Sequence, residues 1–345
     1  MKSMTYVGLD VHKKTIAYCV KTRSGKLVKE GEIAATRAEL GAWAAGLRRP
    51  WSGALEATLF TGWIYDFLKP RAATLAVAHP AMLKSIAASK KKNDRVDAGK
   101  IADLLRCDLL PECYMAPSAT RERRRVLRYR NLIVGEATRM KNKISGLLME
   151  VGAQYNKNKL HGKRYFKQLL TGLEETPESV KQLLRLSRQN LELFVGLQRG
   201  LMEQLSADEQ LAQRVERLKR IRGVGDVLGL TWALEVGDPG RFGSIRQAIS
   251  YCGLCSAQNN SAGVAKRGPI SKMRNKHLQC MLIEAAKLAP RWNPQLRAVH
   301  ERELKRGNKN RATLAVARRI VAYLLAVDRR GSDFVEREPA ILRAA

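Results

Sequence analysis

Apolar residues cluster in short runs over the first hundred positions. Residues 5–11 (Thr-Tyr-Val-Gly-Leu-Asp-Val) read as a strand, Thr15–Val20 as a second, and Lys26–Ile33 as a third, reached through the turn Arg23-Ser24-Gly25. Three strands joined this closely predict an antiparallel meander. A helix near Arg37–Arg48, a strand over Gly53–Glu56, a helix over Gly62–Lys69, a strand over Thr74–Ala78 and a helix from Pro80 to Ser89 follow. Strands followed by alternating helices and strands describe an α/β fold of the RNase H-like kind.

The pattern changes after Thr120. Ile133, Ala137, Met140, Ile144, Leu147 and Val151 recur at spacings of 4, 3, 4, 3 and 4, the repeat of a coiled-coil seam. Leu193, Leu197, Leu201 and Leu205 form a second helical stripe, with a basic connection over Asn156–Thr176 between the two. Two long helices and a tip predict an antiparallel helical hairpin, and the Ile133–Val151 seam offers one surface for holding protomers together. A further domain starts near Leu211. Its Gly223-Val224-Gly225 is the turn of a helix–hairpin–helix element, or a plain turn, in a mainly α-helical region.

Charge narrows the choice of partner. The 345 residues carry 63 Lys and Arg against 32 Asp and Glu, a formal charge of +31. A compact fold with that surplus repels itself unless a polyanion neutralises it, and nucleic acid is the obvious polyanion. Cationic stretches at Lys266–Lys276 and Arg302–Arg319 extend the same surface. No apolar run reaches the length of a spanning helix and the N-terminus lacks a signal-peptide core, so a cytoplasmic protein without a membrane partner is expected. The six cysteines do not repeat like a disulfide framework. Cys252 and Cys255, with His277 and Cys280, have the spacing of two zinc half-sites, although Cys252 in its apolar stretch also reads as a packed thiol.

Four carboxylates stand out. Asp10 lies inside an apolar strand, where a charge is costly unless paired or metal-bound, and Glu56 ends another. Asp94 and Asp97 are three apart, on one face of a helix. Taken singly, Asp10 could pair with Lys13 or Lys14, Glu56 could cap a turn and Asp94 could cap its helix. Taken together on this fold they suit a hard cation such as Mg²⁺ poised for phosphodiester chemistry. Asp103, six residues beyond Asp97, turns to a different face.

The blocks Gly8-Leu9-Asp10-Val11-His12-Lys13, Glu56-Ala57-Thr58 and Asp94-Arg95-Val96-Asp97-Ala98 resemble the signatures of the Piv/MooV-type DNA invertases and insertion-sequence transposases. So do Gly223-Val224-Gly225, Glu235-Val236-Gly237-Asp238, Arg241-Phe242, Tyr251-Cys252-Gly253-Leu254 and Gly268-Pro269-Ile270-Ser271-Lys272, in the same order. Departures fall at Leu59, Arg222 and Arg274-Asn275, away from the chemical groups.

The resemblance implies a RuvC-like nuclease domain with Asp10, Glu56, Asp94 and Asp97 as Mg²⁺ ligands, joined by a coiled coil to a domain carrying a nucleophilic serine. By position that serine is Ser261, in Asn260-Ser261-Ala262-Gly263, with Ser256 and Ser271 as fallbacks. It implies a recombinase that cuts and rejoins double-stranded donor and target DNA through a phosphoserine, guided by a bridge RNA and working as a dimer or tetramer. The expected division is 1–118 nuclease, 119–209 coiled coil, 210–330 serine domain and 331–345 tail. A hydrolytic junction resolvase, an RNA-independent invertase and a non-catalytic nucleic-acid binder remain open at this point.

Overall fold

The computed structural model describes residues 4–86, 93–261 and 264–335, which fall into two compact units, Met1–Ser118 and Ala119–Ala345. The first is built on a five-stranded sheet: β1 (Thr5–Val11), β2 (Thr15–Thr22), β3 (Leu27–Ala34), β4 (Trp51–Glu56) and β5 (Thr74–Ala78). Their spatial order is β3-β2-β1-β4-β5. The meander β1–β2–β3 is antiparallel, whereas β4 and β5 add in parallel beyond β1. Helices α1 (Arg37–Ala45), α2 (Thr61–Leu68), α3 (Pro80–Ile86) and α4 (Asp94–Arg106) complete the unit.

Alternation along the strands sorts its two faces. Val7, Leu9 and Val11 of β1, with Ile16, Tyr18, Leu55 and Val77, pack against Leu40, Trp43, Ile64 and Leu68 of α1 and α2. The opposite face carries small residues, with Gly8 in register with Cys19 on β2 and Ala54 on β4. Small side chains let α4 lie directly on the backbone. A Cβ on Gly8 would sit 2.0 Å from the Ala98 carbonyl oxygen, so any larger residue there would lift the helix.

The second unit is mostly helical. Its elements are α5 (Ser118–Glu150), α6 (Lys163–Thr171), α7 (Glu178–Ser206), α8 (Glu209–Lys219), α9 (Asp226–Val236), α10 (Ile245–Tyr251), a hairpin of β6 (Ser256–Ser261) and β7 (Val264–Ile270), then α11 (Lys276–Leu288), α12 (Pro294–Lys305) and α13 (Lys309–Arg330). The long α5 and α7 run antiparallel: Ala137, Ile144 and Leu147 of α5 meet Leu184 and Leu191 near the start of α7, while Arg123 pairs with Asp208 beyond its end. Two expectations are corrected here. The Ile133–Val151 stripe does not face a partner, because Ala137, Ile144 and Leu147 are buried against Leu160 and Phe166 of the intervening segment and against α7. On α7, Leu193 and Leu197 are exposed, and only Leu205 of the expected stripe is buried. Burial of Leu160, Phe166 and Leu173 turns the 156–176 connection into a packed element.

The turn Gly223-Val224-Gly225 links α8 to α9. Gly223 has φ of 100° and backs onto Ala289, so a side chain there would be both strained and crowded. Glu235 on α9 is fully buried and accepts hydrogen bonds from Arg128 Nε (2.8 Å), a second Arg128 nitrogen (2.9 Å) and Asn275 Nδ2 (2.8 Å). Its backbone carbonyl accepts from the Tyr251 hydroxyl at 2.8 Å. Through its carboxylate and its backbone carbonyl, Glu235 on α9 thereby ties α5, α10 and the cap of α11 together.

Candidate active site

Asp10 and Glu56 occupy equivalent places on adjacent parallel strands. Leu9 pairs with Leu55, and each acidic residue comes next in the chain, near the carboxyl ends of β1 and β4. Such ends are where open α/β sheets hold their ligands. Asp10 shares the face of Gly8, two residues before it. Because Gly8 docks on Ala98, the first turn of α4 reaches past the end of β1, and Asp94 lies one turn before Ala98. Asn93 caps α4, its side chain accepting from the Arg95 N–H at 3.0 Å; Asp94 is thus the first helical residue instead of the cap.

His12, present in the first sequence block but without a role in it, joins the two carboxylates. Its Nε2 lies 3.3 Å from Asp10 Oδ2 and 3.5 Å from Asp94 Oδ2. The ligand atoms of Asp10, His12 and Asp94 all lie within 4.8 Å of one another, the one such metal-competent group among the described residues. Asp10 is buried, while His12 and Asp94 are exposed toward solvent. The Asp-x-His spacing at the end of β1 was the available signal for His12. Among the described residues Asp10 pairs with His12, which takes the place expected for Lys13 or Lys14.

Asp97 lies one turn into α4, where Lys100 holds it at 2.9 Å. Asp103 engages Lys21 (2.6 Å) and Arg106 (2.7 Å), apart from the cluster. Burial pushes the Asp10 carboxyl above its ordinary range; His12 pulls it down, and the negative charges of Asp94 and Asp97 add to the upward push. Asp10 and Asp94, with His12 between them, are the group among the described residues that could hold a divalent cation; Asp97, paired with Lys100, and Glu56 are not part of it.

Ser261 is the last residue of β6, its Cα paired with that of Val264 across the hairpin. Its side chain, and residues 262 and 263, lie outside the described residues. The sequence pattern predicts no strand here. Ser256 begins β6 and is exposed; the Ser271 hydroxyl accepts from the Met273 N–H at 3.2 Å, a local turn contact. Cys252 is buried in the C-terminal core, where burial pushes its thiol up to about 12, and Cys280 is exposed. Cys252, Cys255, His277 and Cys280 do not form a metal-competent group among the described residues.

A family model for DEDD transposases of the IS110 type matches residues 7–152, and the model described as the transposase IS116/IS110/IS902 family matches residues 215–301. A protein of Sinorhizobium fredii named as transposase y4qE is 26% identical over 293 residues, covering 81% of this chain and 70% of its own length. The transposase for insertion sequence element IS1111A of Coxiella burnetii is 26% identical over 297 residues, covering 83% of this chain and 78% of its own. Both units therefore match transposases, enzymes that cut and rejoin DNA. The chain belongs to the IS110-type insertion-sequence transposases. Membership of a DEDD-type family implies a divalent metal, consistent with the acidic group around Asp10.

Proposed function

We propose that this transposase uses Asp10, Glu56, Asp94 and Asp97 to hold Mg²⁺ on an RNase H-like, RuvC-like domain, and Ser261 as the nucleophile that breaks the DNA strand. The observation that carries the reading is the approach of Asp94 to Asp10, with His12 between them. Bound Mg²⁺ would supply Lewis-acid polarisation of a phosphodiester at that place. Asp10 is the fixed anchor, because the buried strand leaves it little freedom. Asp94, at the solvent edge, adapts to an incoming substrate. Asp97 is oriented by Lys100, and Glu56 closes the sheet side of the pocket.

Ser261 Oγ forms a bond to phosphorus as the bond from phosphorus to the sugar oxygen breaks. The hydroxyl gives up its proton, and the departing sugar oxygen gains one. Reversal with another strand's hydroxyl rejoins DNA with no external energy source. In this reading residues 1–118 are the nuclease domain, 119–209 the helical spacer, 210–330 the serine domain and 331–345 a tail. Double-stranded donor and target DNA are the substrates, and a bridge RNA the guide.

Recombination joins two duplexes, so more than one protomer must assemble, as a dimer or tetramer. Support for a second copy lies on α7: Leu183, Leu186, Leu193 and Leu197 are all exposed at heptad spacing, with Asn190 in the intervening core position. A single polar residue in such a seam sets register between two helices.

A suicide DNA substrate with Mg²⁺ tests the chemistry. The expected result is a covalent protein–DNA adduct whose mapped peptide contains Ser261. Metal-dependent cleavage without any adduct would make the enzyme a hydrolytic nuclease instead. Sequencing RNA that copurifies with the protein tests the guide.

A further inference from the structure

A cleft of about 430 Å³ opens between α5, α6 and α7, far along the chain from the carboxylates. This is the volume range of ligand clefts. Leu191 forms part of its floor, and four cations line it: Lys141 from α5, Lys163 from α6, and Arg188 and Arg199 from α7. Glu192 is the sole carboxylate in the lining, and Arg188 Nε already donates to it at 2.9 Å.

The cleft is built, not merely a patch of mobile side chains. Arg188 is buried to 9% exposure, donates to the His161 carbonyl at 2.7 Å and packs 5.4 Å from the Phe166 ring centroid. His161 Nδ1 is buried in the same wall with no hydrogen-bond partner in the protein, an arrangement that costs free energy unless a ligand or water meets it. Burial first, then the charges of Lys141 and Arg188, push the His161 ring below its ordinary range. A fixed guanidinium and three long cations around a water-accessible hollow match an oxyanion better than an apolar guest.

We infer that this cleft binds a backbone phosphate of a nucleic-acid strand, anchoring it on the helical hairpin at a site separate from the carboxylates. Lys141, Lys163 and Arg199 neutralise the phosphate, and Arg188 fixes its position. The inference rests on the chain's handling of nucleic acid. RNA and DNA strands both offer this phosphodiester.

The test uses the full chain in EDTA, so that no strand is cut, with a DNA duplex and an RNA hairpin measured separately by fluorescence anisotropy across salt. Lys141→Ala/Lys163→Ala/Arg199→Ala is compared with Lys143→Ala/Lys157→Ala/Lys167→Ala, which removes the same charge from exposed positions outside the cleft. Arg188 is left intact because its packing supports the fold, and circular dichroism melts check both variants. The cleft variant is expected to have a logarithmic salt slope shallower than the control by about one for each phosphate it no longer neutralises. Weakening confined to RNA or to DNA identifies the strand that the cleft holds. Equal slopes and affinities for the two variants, with the parent still binding, would overturn the inference alone; a parent that binds neither strand would overturn the nucleic-acid reading beneath it.

Discussion

Gly8 of β1 and Ala98 of α4 touch with no room for a side chain between them: a Cβ on Gly8 would lie 2.0 Å from the Ala98 carbonyl oxygen and 2.5 Å from the Ala102 nitrogen. Backbone cannot yield as a flexible side chain can. Gly8→Ala must therefore lift α4, and with it Asp94, away from Asp10. The expected cost is about 1–3 kcal/mol of stability, typical of overpacking, and about a hundred-fold in strand cleavage, as for a catalytic group misplaced by an ångström. Chemical melts and cleavage assays on the same preparation check both. A stable, fully active Gly8→Ala chain would mean that the α4 contact does not set the site.

The carboxylates should separate binding from chemistry. Asp10→Ala, Glu56→Ala, Asp94→Ala and Asp97→Ala are each expected to reduce cleavage to background while affinity for DNA stays near that of the parent, because binding draws on the +31 surplus. EDTA should reproduce all four. Activity near the parent rate in any one variant removes that residue from the site.

His12 gives a prediction in the metal itself. Mg²⁺ prefers oxygen ligands, so the proposed role of His12 is to bridge Asp10 and Asp94 in the metal-free protein rather than to ligate the ion. His12→Ala should lower the melting temperature without metal and enlarge the rise that Mg²⁺ produces. A smaller Mg²⁺-induced rise than in the parent would make His12 a ligand.

Ser261→Ala should fold, bind DNA and form no adduct. A label that moves to Ser256 or Ser271 in the parent's peptide map would keep the covalent chemistry and relocate it.

Glu235 predicts a pH dependence. Burial pushes its carboxyl up, but the hydrogen bonds from Arg128 and Asn275 and the charges of Arg128 and Arg124 outweigh burial and leave it below the ordinary 4.5. The unfolded chain then binds more protons in the interval below 4.5, so this contribution is present above that pH and is lost as pH falls through the folded value. Arg128→Ala should cost about 3 kcal/mol, the lower end for breaking a buried pair, since Arg124 and Asn275 remain. It should also flatten or invert the acid limb, because burial is then less opposed. Urea midpoints from about pH 7 to about pH 3 measure both effects; an unchanged acid limb would show that Glu235 is not linked to folding.

The exposed stripe on α7 predicts the assembly surface. Leu186→Lys with Leu193→Lys should shift the protein toward monomer by light scattering without lowering its melting temperature. Unchanged mass would place the interface elsewhere.

Much of the first unit was legible in the sequence because strands carry their orientation locally. The alternation of Val7, Leu9 and Val11 with Gly8 and Asp10 determined which residues share a face, and short connections determined the meander. Both faces of β1 are buried, one by α1 and α2 and the other by α4, so period two placed Asp10 on the face of Gly8 and left to the tertiary structure which helix covers it. What the tertiary structure decided were the matters that depend on a partner element. A helix such as α7 offers two apolar stripes at helical spacing, one through Leu184 and Leu191 and one through Leu193 and Leu197. Periodicity cannot choose between them; the choice fell to α5 and α6, which cover the first and leave the second in solvent. The same holds at the site: His12 meets Asp94, far along the chain, only because small side chains under α4 let the helix settle onto β1, and close packing between distant segments is a property of their fit, which no local pattern encodes.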